Sequence, residues 1–169
     1  MKRSIYVVAC LMMVLLIGFT ACGDDDTNDF TPEQLAYFEK NLDYIREKKV
    51  LKGEDGELLY KQVVLGGDTA LYRVLSKEGT ETKYPTSQTT ITVTLKGDFI
   101  NKTNFQPEMS MPLTPAGVVP GLGAILLENT VGERVEAIIP AYLGYGYYDN
   151  RGIPAGSTLI FTYTVEKFN

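Results

Sequence analysis

The stretch of residues 132–168 constrains the fold of this chain more than any other part of the sequence. Apolar and polar residues alternate over residues 133–139, and Pro140 ends the pattern because proline has no N–H to give to a sheet. A second alternating run places four large side chains on one face, namely Leu159, Phe161, Tyr163 and Val165. A period of two is typical of half-buried β-strands, so two strands are predicted here.

The segment between these two strands is rich in tyrosine. It holds Tyr142, Tyr145, Tyr147 and Tyr148, followed by Ile153-Pro154. An aromatic loop beside a sheet is a natural place for an apolar pocket with a few hydroxyl donors. The alternative interpretation is an ordinary hairpin with a long loop.

Shorter elements precede this pair. Further strands are predicted over residues 58–65, 70–75, 91–97 and 109–113. Pro120 opens a short helix over residues 121–128, whose Leu122, Ile125 and Leu126 recur at helical spacing and point inward. The predicted fold class is α+β, with a twisted antiparallel sheet of about five or six strands curled round one short helix.

An amphipathic helix is predicted to begin after Thr31. Thr31 is a favourable N-cap, Pro32 suits the first helical position, and Gln34 can close a capping box. The predicted apolar face is formed by Leu35, Phe38, Leu42 and Ile45, and the helix runs to about Lys49. Such a face needs a partner, which is either the domain itself or a second copy of the helix. We favour the domain itself.

The first 22 residues have the pattern of an export signal. Two basic residues precede an apolar run that ends at Phe19-Thr20-Ala21-Cys22, and this ending resembles a bacterial lipobox. A cleaved soluble export signal is a weaker alternative, and a transmembrane anchor would need about 20 apolar residues. We therefore predict lipidation at Cys22 and anchoring to the cell envelope, at the outer membrane and on its periplasmic or surface side.

Four regions follow from these patterns. They are a signal peptide over residues 1–21, a disordered acidic tether over 22–30, a helical extension and linker over 31–69, and a folded domain over 70–169. The tether contains Asp24, Asp25 and Asp26 and has almost no apolar surface to bury. It serves as a spacer, with a surface-export signal as the alternative.

The composition excludes several classes of function. The chain contains no histidine, so histidine-based catalysis is excluded and most transition-metal sites are disfavoured. A formal net charge of −5 argues against a nucleic-acid partner, which requires a basic face.

Three segments together resemble a known family. They read GERVEAIIPAYLGYG, IPAGSTLIFTYTVE and VVPGLGAILLENTVGE, and ITVTLKGDF lies upstream of them. This pattern resembles the FKBP-type peptidyl-prolyl cis-trans isomerase domain over residues 70–169. The resemblance implies an enzyme that isomerises X-Pro bonds in client polypeptides without a metal or cofactor. A non-catalytic peptide-binding or chaperone module of the same fold is one alternative, and a lipid-anchored adaptor within a cell-envelope complex is another.

The resemblance also implies which residues form the site. Catalytic roles are implied for Phe105, Tyr145 and Phe161. Substrate contacts are implied for Leu95, Gln106, Met109, Val118, Val119, Leu122 and Ile153. In this assignment the Tyr145 hydroxyl donates to a substrate carbonyl, and Leu122 replaces a tryptophan at the pocket floor.

Two residues depart from the family pattern. Leu95 stands where the family usually has tyrosine, and Gln106 where it usually has aspartate. The loop before Ile153 is also about one residue short on this comparison. Loss of the polar pair predicts weak isomerase activity and weak macrolide binding.

Anchoring should depend on Cys22. The Cys22→Ser variant has no thiol to carry acyl chains at this position, so it should move from the detergent phase to the aqueous phase or stay uncleaved. Detergent partition and the size of the processed chain measure this. A processed variant that partitions like the original would contradict lipid anchoring.

Overall fold

The computed structural model describes residues 30–169, so the predicted signal peptide, Cys22 and the acidic tether up to Asp29 lie outside the described residues. Six antiparallel strands form one sheet in the order β1-β2-β5-β6-β3-β4. Their bounds are Lys61–Leu65 for β1, Asp68–Lys77 for β2, Ile91–Phe99 for β3, Asn104–Leu113 for β4, Glu133–Ile139 for β5 and Leu159–Phe168 for β6.

Within residues 30–169, two α-helices accompany the sheet, α1 at Pro32–Val50 and α2 at Pro120–Leu126. Short 3-10 turns cover Pro115–Gly117 and Ala141–Leu143. The inward side chains predicted for α2 are buried and join the alternating residues of β5 and β6 in the main core. The predicted α+β fold with one short helix against an antiparallel sheet is confirmed. None of the helices within residues 30–169 is both long and apolar enough to cross a membrane.

Strand β4 differs from its prediction because it begins at Asn104 rather than at Met109. It therefore includes Gln106 and Pro107, which lie before the predicted strand. Proline is tolerated here because β4 lies at the edge of the sheet, where one row of N–H groups needs no strand partner. A register shift around Gly97 in β3 bends this part of the ladder.

Helix α1 begins with the predicted capping box. The Gln34 amide N–H donates to Thr31 Oγ1 at 3.2 Å, and the Thr31 amide N–H donates to Gln34 Oε1 at 2.8 Å. The predicted apolar face is partly wrong, because Leu35 is 53% exposed whereas Phe38 and Asn41 are buried. Asn41 lies on the buried side of the helix, where it forms hydrogen bonds with Thr158 of the domain. As predicted, α1 packs on its own domain.

The segment after α1 covers the other face of the sheet. Tyr60 and Leu71 are buried there in a small second core with Ile138 of β5. The Tyr60 hydroxyl donates to Glu136 Oε1 at 2.7 Å, and Arg73 Nε donates to the same oxygen at 2.8 Å. Burial raises the pKa of the Tyr60 phenol far above its ordinary value, so this donor keeps its proton. The extension is thus packed against the sheet, and its strand β1 is the edge next to β2.

The entry to β5 requires glycine at position 132. Gly132 has φ +88°, and a Cβ there would lie 1.8 Å from the backbone oxygen of Glu78. The Glu78 amide N–H donates to the Gly132 oxygen at 2.9 Å, so the two backbone segments are tied at this distance. Neither segment can move away without breaking that bond.

Substituting Gly132→Ala should therefore destabilise the fold strongly. Left-handed backbone strain of about 1–2 kcal/mol adds to an overpacking cost of about 1–3 kcal/mol or more. Gly56→Ala is the control, because Gly56 has φ +82° and nothing within 4 Å of its added Cβ. In urea unfolding, Gly56→Ala should lower the free energy of unfolding by the backbone strain alone, about 1–2 kcal/mol. Equal losses for the two variants would contradict this account.

Candidate functional site

An open cavity of about 760 Å³ lies between β3, β4, β6 and the segment that leads into α2. Its lining consists of Thr90, Leu95, Gln106, Met111, Pro112, Leu113, Thr114, Gly117, Val118, Val119, Leu122, Tyr145 and Phe161. Seven of the ten site residues implied by the family resemblance belong to this lining, namely Leu95, Gln106, Val118, Val119, Leu122, Tyr145 and Phe161. The structure thus brings most of the predicted site into one place.

Phe161 is held by its neighbours in the sheet. It lies on β6 between Gly97 of β3 and Ala137 of β5, and its ring packs edge-on against Phe105 with 5.6 Å between centroids. The Phe105 ring fills the space that a side chain at Gly97 would need, since a Cβ there would meet Phe105 Cζ at 2.4 Å. Phe105 is outside the cavity lining and contacts the lining residue Phe161.

Two other predicted residues lie outside the lining. Met109 is 47% exposed, and its Sδ accepts a hydrogen bond from Gln106 Nε2 at 3.1 Å. Met111, two residues further along β4, lines the cavity instead. Ile153 is buried in the core and borders a separate small cavity of about 260 Å³ that it shares with Tyr145.

Several lining residues were missed by the sequence reasoning, namely Thr90, Met111, Pro112, Leu113, Thr114 and Gly117. The alternation from Met109 to Leu113 was visible, and it places Met109, Met111 and Leu113 on one face. The position of that face along the cavity depends on the β3–β4 register, in which Met111 pairs with Val93. The residues after Leu113 form a turn, and no periodicity marks them.

The lining is electrically neutral, since none of its residues is Asp, Glu, Lys or Arg. Its polar groups include the Gln106 amide, whose Nε2 also contacts the Pro107 oxygen at 3.2 Å, and the phenol of Tyr145, which is 40% exposed. No group of three or more metal-ligating side chains occurs in the part of the chain that the structure describes. This arrangement suits binding by apolar contact and one or two hydrogen bonds.

The loop that carries Tyr145 is closed by its own backbone. The Gly146 amide N–H donates to the Ala141 oxygen at 2.8 Å, and the Gly156 amide N–H donates to the Gly146 oxygen at 2.9 Å. These two bonds fix the backbone next to Tyr145. The loop therefore presents a phenol at the cavity wall from an ordered turn.

Buried polar groups support the opposite end of the β5–β6 pair. The Tyr163 hydroxyl donates to Asn129 Oδ1 at 2.6 Å, and Asn129 Nδ2 donates to Glu133 Oε2 at 3.2 Å. Burial raises the pKa of the Tyr163 phenol well above its ordinary value, which keeps this donor protonated. This cluster lies outside the cavity and stabilises the start of β5.

Solved structures share this architecture. FkpA from Escherichia coli is 23% identical with a TM-score of 0.65, and the match covers 81% of this chain and 63% of that one. A peptidyl-prolyl cis-trans isomerase from Pseudomonas syringae pv. tomato is 21% identical with a TM-score of 0.61, covering 78% of this chain and 95% of that one. The structure of the three FKBP domains of wheat FKBP73 gives 21% identity and a TM-score of 0.57, covering 65% and 51%. The fold is therefore that of FKBP domains.

A match between the sequence and a family model identifies the family of this chain. The family model for the FKBP-type peptidyl-prolyl cis-trans isomerase matches residues 81–166, a range that contains every residue of the cavity lining. The chain belongs to this family. It spans less than two thirds of the length of FkpA, since 63% of that chain is covered. A search of curated proteins found no match.

Phe161 should contribute to activity beyond its contribution to stability. Its ring is 6% exposed, so Phe161→Ala should lower the free energy of unfolding by about 3–5 kcal/mol. Isomerisation of an X-Pro peptide, measured well below the unfolding temperature, should fall further than the folded fraction explains, because the ring lines the cavity.

The matched control for this variant is Val165→Ala. Val165 is 1% exposed on the same face of β6, is absent from the cavity lining and contributes about 1.5–3 kcal/mol by burial. It should lose stability and keep its turnover. A folded Phe161→Ala protein with unchanged turnover would remove Phe161 from the site.

Proposed function

We infer that the protein is an exported, lipid-anchored peptidyl-prolyl isomerase that acts on X-Pro bonds of extracytoplasmic proteins. The observation that carries this proposal is the neutral cavity, with Phe161 and Leu122 in its lining and the Tyr145 phenol at its rim. Family membership supplies the reaction type. The pattern of the first 22 residues supports the exported location.

The chemistry needs no acid, base or nucleophile. Rotation about the imide bond faces a barrier of about 18–20 kcal/mol, because amide resonance is lost in the twisted state. The twisted imide is less polar than the planar one, so an apolar site that excludes water favours it. In this role the proline ring would lie against Phe161 and Leu122. The Tyr145 hydroxyl would donate to a carbonyl of the client.

The anchor would be formed at Cys22. Several acyl chains on one residue give stable anchoring, since each buried CH₂ contributes about 0.8 kcal/mol. The acidic residues between Cys22 and Phe30 would then separate the lipid from the domain. Their charge favours a solvated spacer.

A second candidate function is non-catalytic binding of client polypeptides at the same cavity. Leu95 and Gln106 favour it, since both line the cavity and neither supplies the hydroxyl or carboxylate usual in the family. An exchange measurement by NMR on a short X-Pro peptide separates the two candidates. Faster cis-trans exchange supports the isomerase. Binding without faster exchange supports the alternative.

Restoring the polar pair should strengthen both activity and macrolide binding. A charge-assisted hydrogen bond contributes about 1.5–3 kcal/mol against about 1 kcal/mol for a neutral one. Compared with an aspartate at this position, the native Gln106 should therefore weaken macrolide affinity by about tenfold, since about 1.4 kcal/mol corresponds to one decade in affinity. The double variant Leu95→Tyr with Gln106→Asp should recover part of each property.

The single variant Gln106→Glu is the control for this prediction. It adds a carboxylate of nearly the same shape as the amide but leaves Leu95 without a hydroxyl. It should recover less than the double variant in the peptide assay and in macrolide titration. Tight macrolide binding by the unaltered protein would contradict the prediction, as would a folded double variant that gains neither property.

A further inference from the structure

Helix α1 holds the end of the loop that carries Tyr145. Asn41 is 2% exposed, and its Oδ1 accepts a hydrogen bond from the Thr158 amide N–H at 2.8 Å. Its Nδ2 donates to the backbone oxygen of Tyr37 at 2.9 Å. Thr158 Oγ1 donates to the backbone oxygen of Asn41 at 3.3 Å. A buried amide is costly unless its polar atoms are paired, and here both are.

Two neighbours on the same helix face hold the preceding loop residues. The hydroxyl groups of Tyr37 and Ser157 form a hydrogen bond at 2.8 Å. The Phe38 ring lies directly over Gly156, since a Cβ at that glycine would be 2.2 Å from Phe38 Cδ1. Residues 156–158 are therefore contacted one after another by α1.

These contacts lead to the cavity wall through the backbone. The Gly156 amide N–H donates to the oxygen of Gly146, the residue that follows Tyr145. On the other side, the Phe38 ring packs edge-on against Tyr147 with 5.0 Å between centroids. A change in the position of α1 would therefore reach the backbone on the C-terminal side of Tyr145 by two routes.

We propose that Asn41 is a positioning residue for the site, which fixes the loop end at Thr158 and thereby holds the Tyr145 phenol at the cavity wall. The proposal rests on the proposed function, because the cavity is taken as the isomerase site. The physical reason is entropic. The loop contains four glycines between Pro140 and Thr158, and each lost constraint increases the number of positions open to its side chains.

The test compares Asn41→Leu with the native chain. Leucine has nearly the same volume but forms none of the hydrogen bonds of the amide. We expect hydrogen exchange at the Gly156 amide to become at least about tenfold faster and kcat/KM for an X-Pro peptide to fall by about tenfold, since misplaced site groups cost up to about 100-fold. Asn41→Asp keeps an oxygen acceptor for the Thr158 amide and should lie between the two.

Tyr60→Phe is the matched control. Tyr60 is 4% exposed and also ties the extension to the sheet, through its 2.7 Å hydrogen bond to Glu136. It contacts the second core rather than the loop. Tyr60→Phe should lower the unfolding temperature while leaving Gly156 exchange and kcat/KM unchanged.

Three results would overturn the proposal. They are a folded Asn41→Leu protein with native exchange and native kcat/KM, an equal loss in Tyr60→Phe, and an Asn41→Asp protein that behaves like Asn41→Leu. If Asn41→Leu does not fold, Asn41→Asp is compared with the native chain instead, because it removes the side-chain N–H donor to the Tyr37 backbone oxygen and keeps an acceptor for the Thr158 amide. Native exchange and native kcat/KM in a folded Asn41→Asp protein would then overturn the proposal.

The failure of the proposed function is separable from the failure of this inference. If the native chain does not accelerate X-Pro exchange, the isomerase proposal fails by itself. The position of the loop is then read from amide exchange at Gly156 and from the ring signals of Tyr145 in NMR spectra. A shift of both in Asn41→Leu but not in Tyr60→Phe would still assign the positioning role.

Discussion

The antiparallel pairing of β5 with β6 is the interaction on which the rest of the structure depends. These strands occupy the two middle places of the sheet, so each also pairs with an outer neighbour, β2 or β3. Their inward residues are almost fully buried, including Val135, Ala137, Leu159 and Tyr163. A slip of one residue would turn this whole row to the opposite face, so the buried row fixes the register.

That register also builds the site. It places Phe161 beside two small residues, Gly97 on one side and Ala137 on the other. The Phe105 ring occupies the space over Gly97 and supports Phe161. The apolar wall of the cavity is therefore a direct product of strand pairing, whereas its tyrosine comes from the loop between the same two strands.

The loop that carries Tyr145 is contacted by an extension that lies outside the matched family region. The family model begins at residue 81, after α1, β1 and β2. Yet α1 contacts the last residues of the loop, and β2 pairs along β5. The first part of the folded chain is thus packed against both the sheet and the loop of the candidate site.

The sequence by itself determined the elements whose burial has a local period. The alternation in β5 and β6, the inward face of α2 and the cap of α1 could be read directly, because each depends on residues a few positions apart. Most of the cavity lining was predicted through the resemblance, since the motifs from Val118 to Phe161 carry it.

Only the tertiary structure decided which face of α1 is buried, which methionine of β4 reaches the cavity and where Ile153 lies. The apolar pattern placed Leu35 on the buried face, but Leu35 is exposed and the polar side chain of Asn41 is inside, where the loop offers it a backbone N–H. Met111 rather than Met109 lines the cavity because the pairing of β4 with β3 sets its position. Each outcome depends on groups far apart in the chain that meet only after folding, and no local period records them.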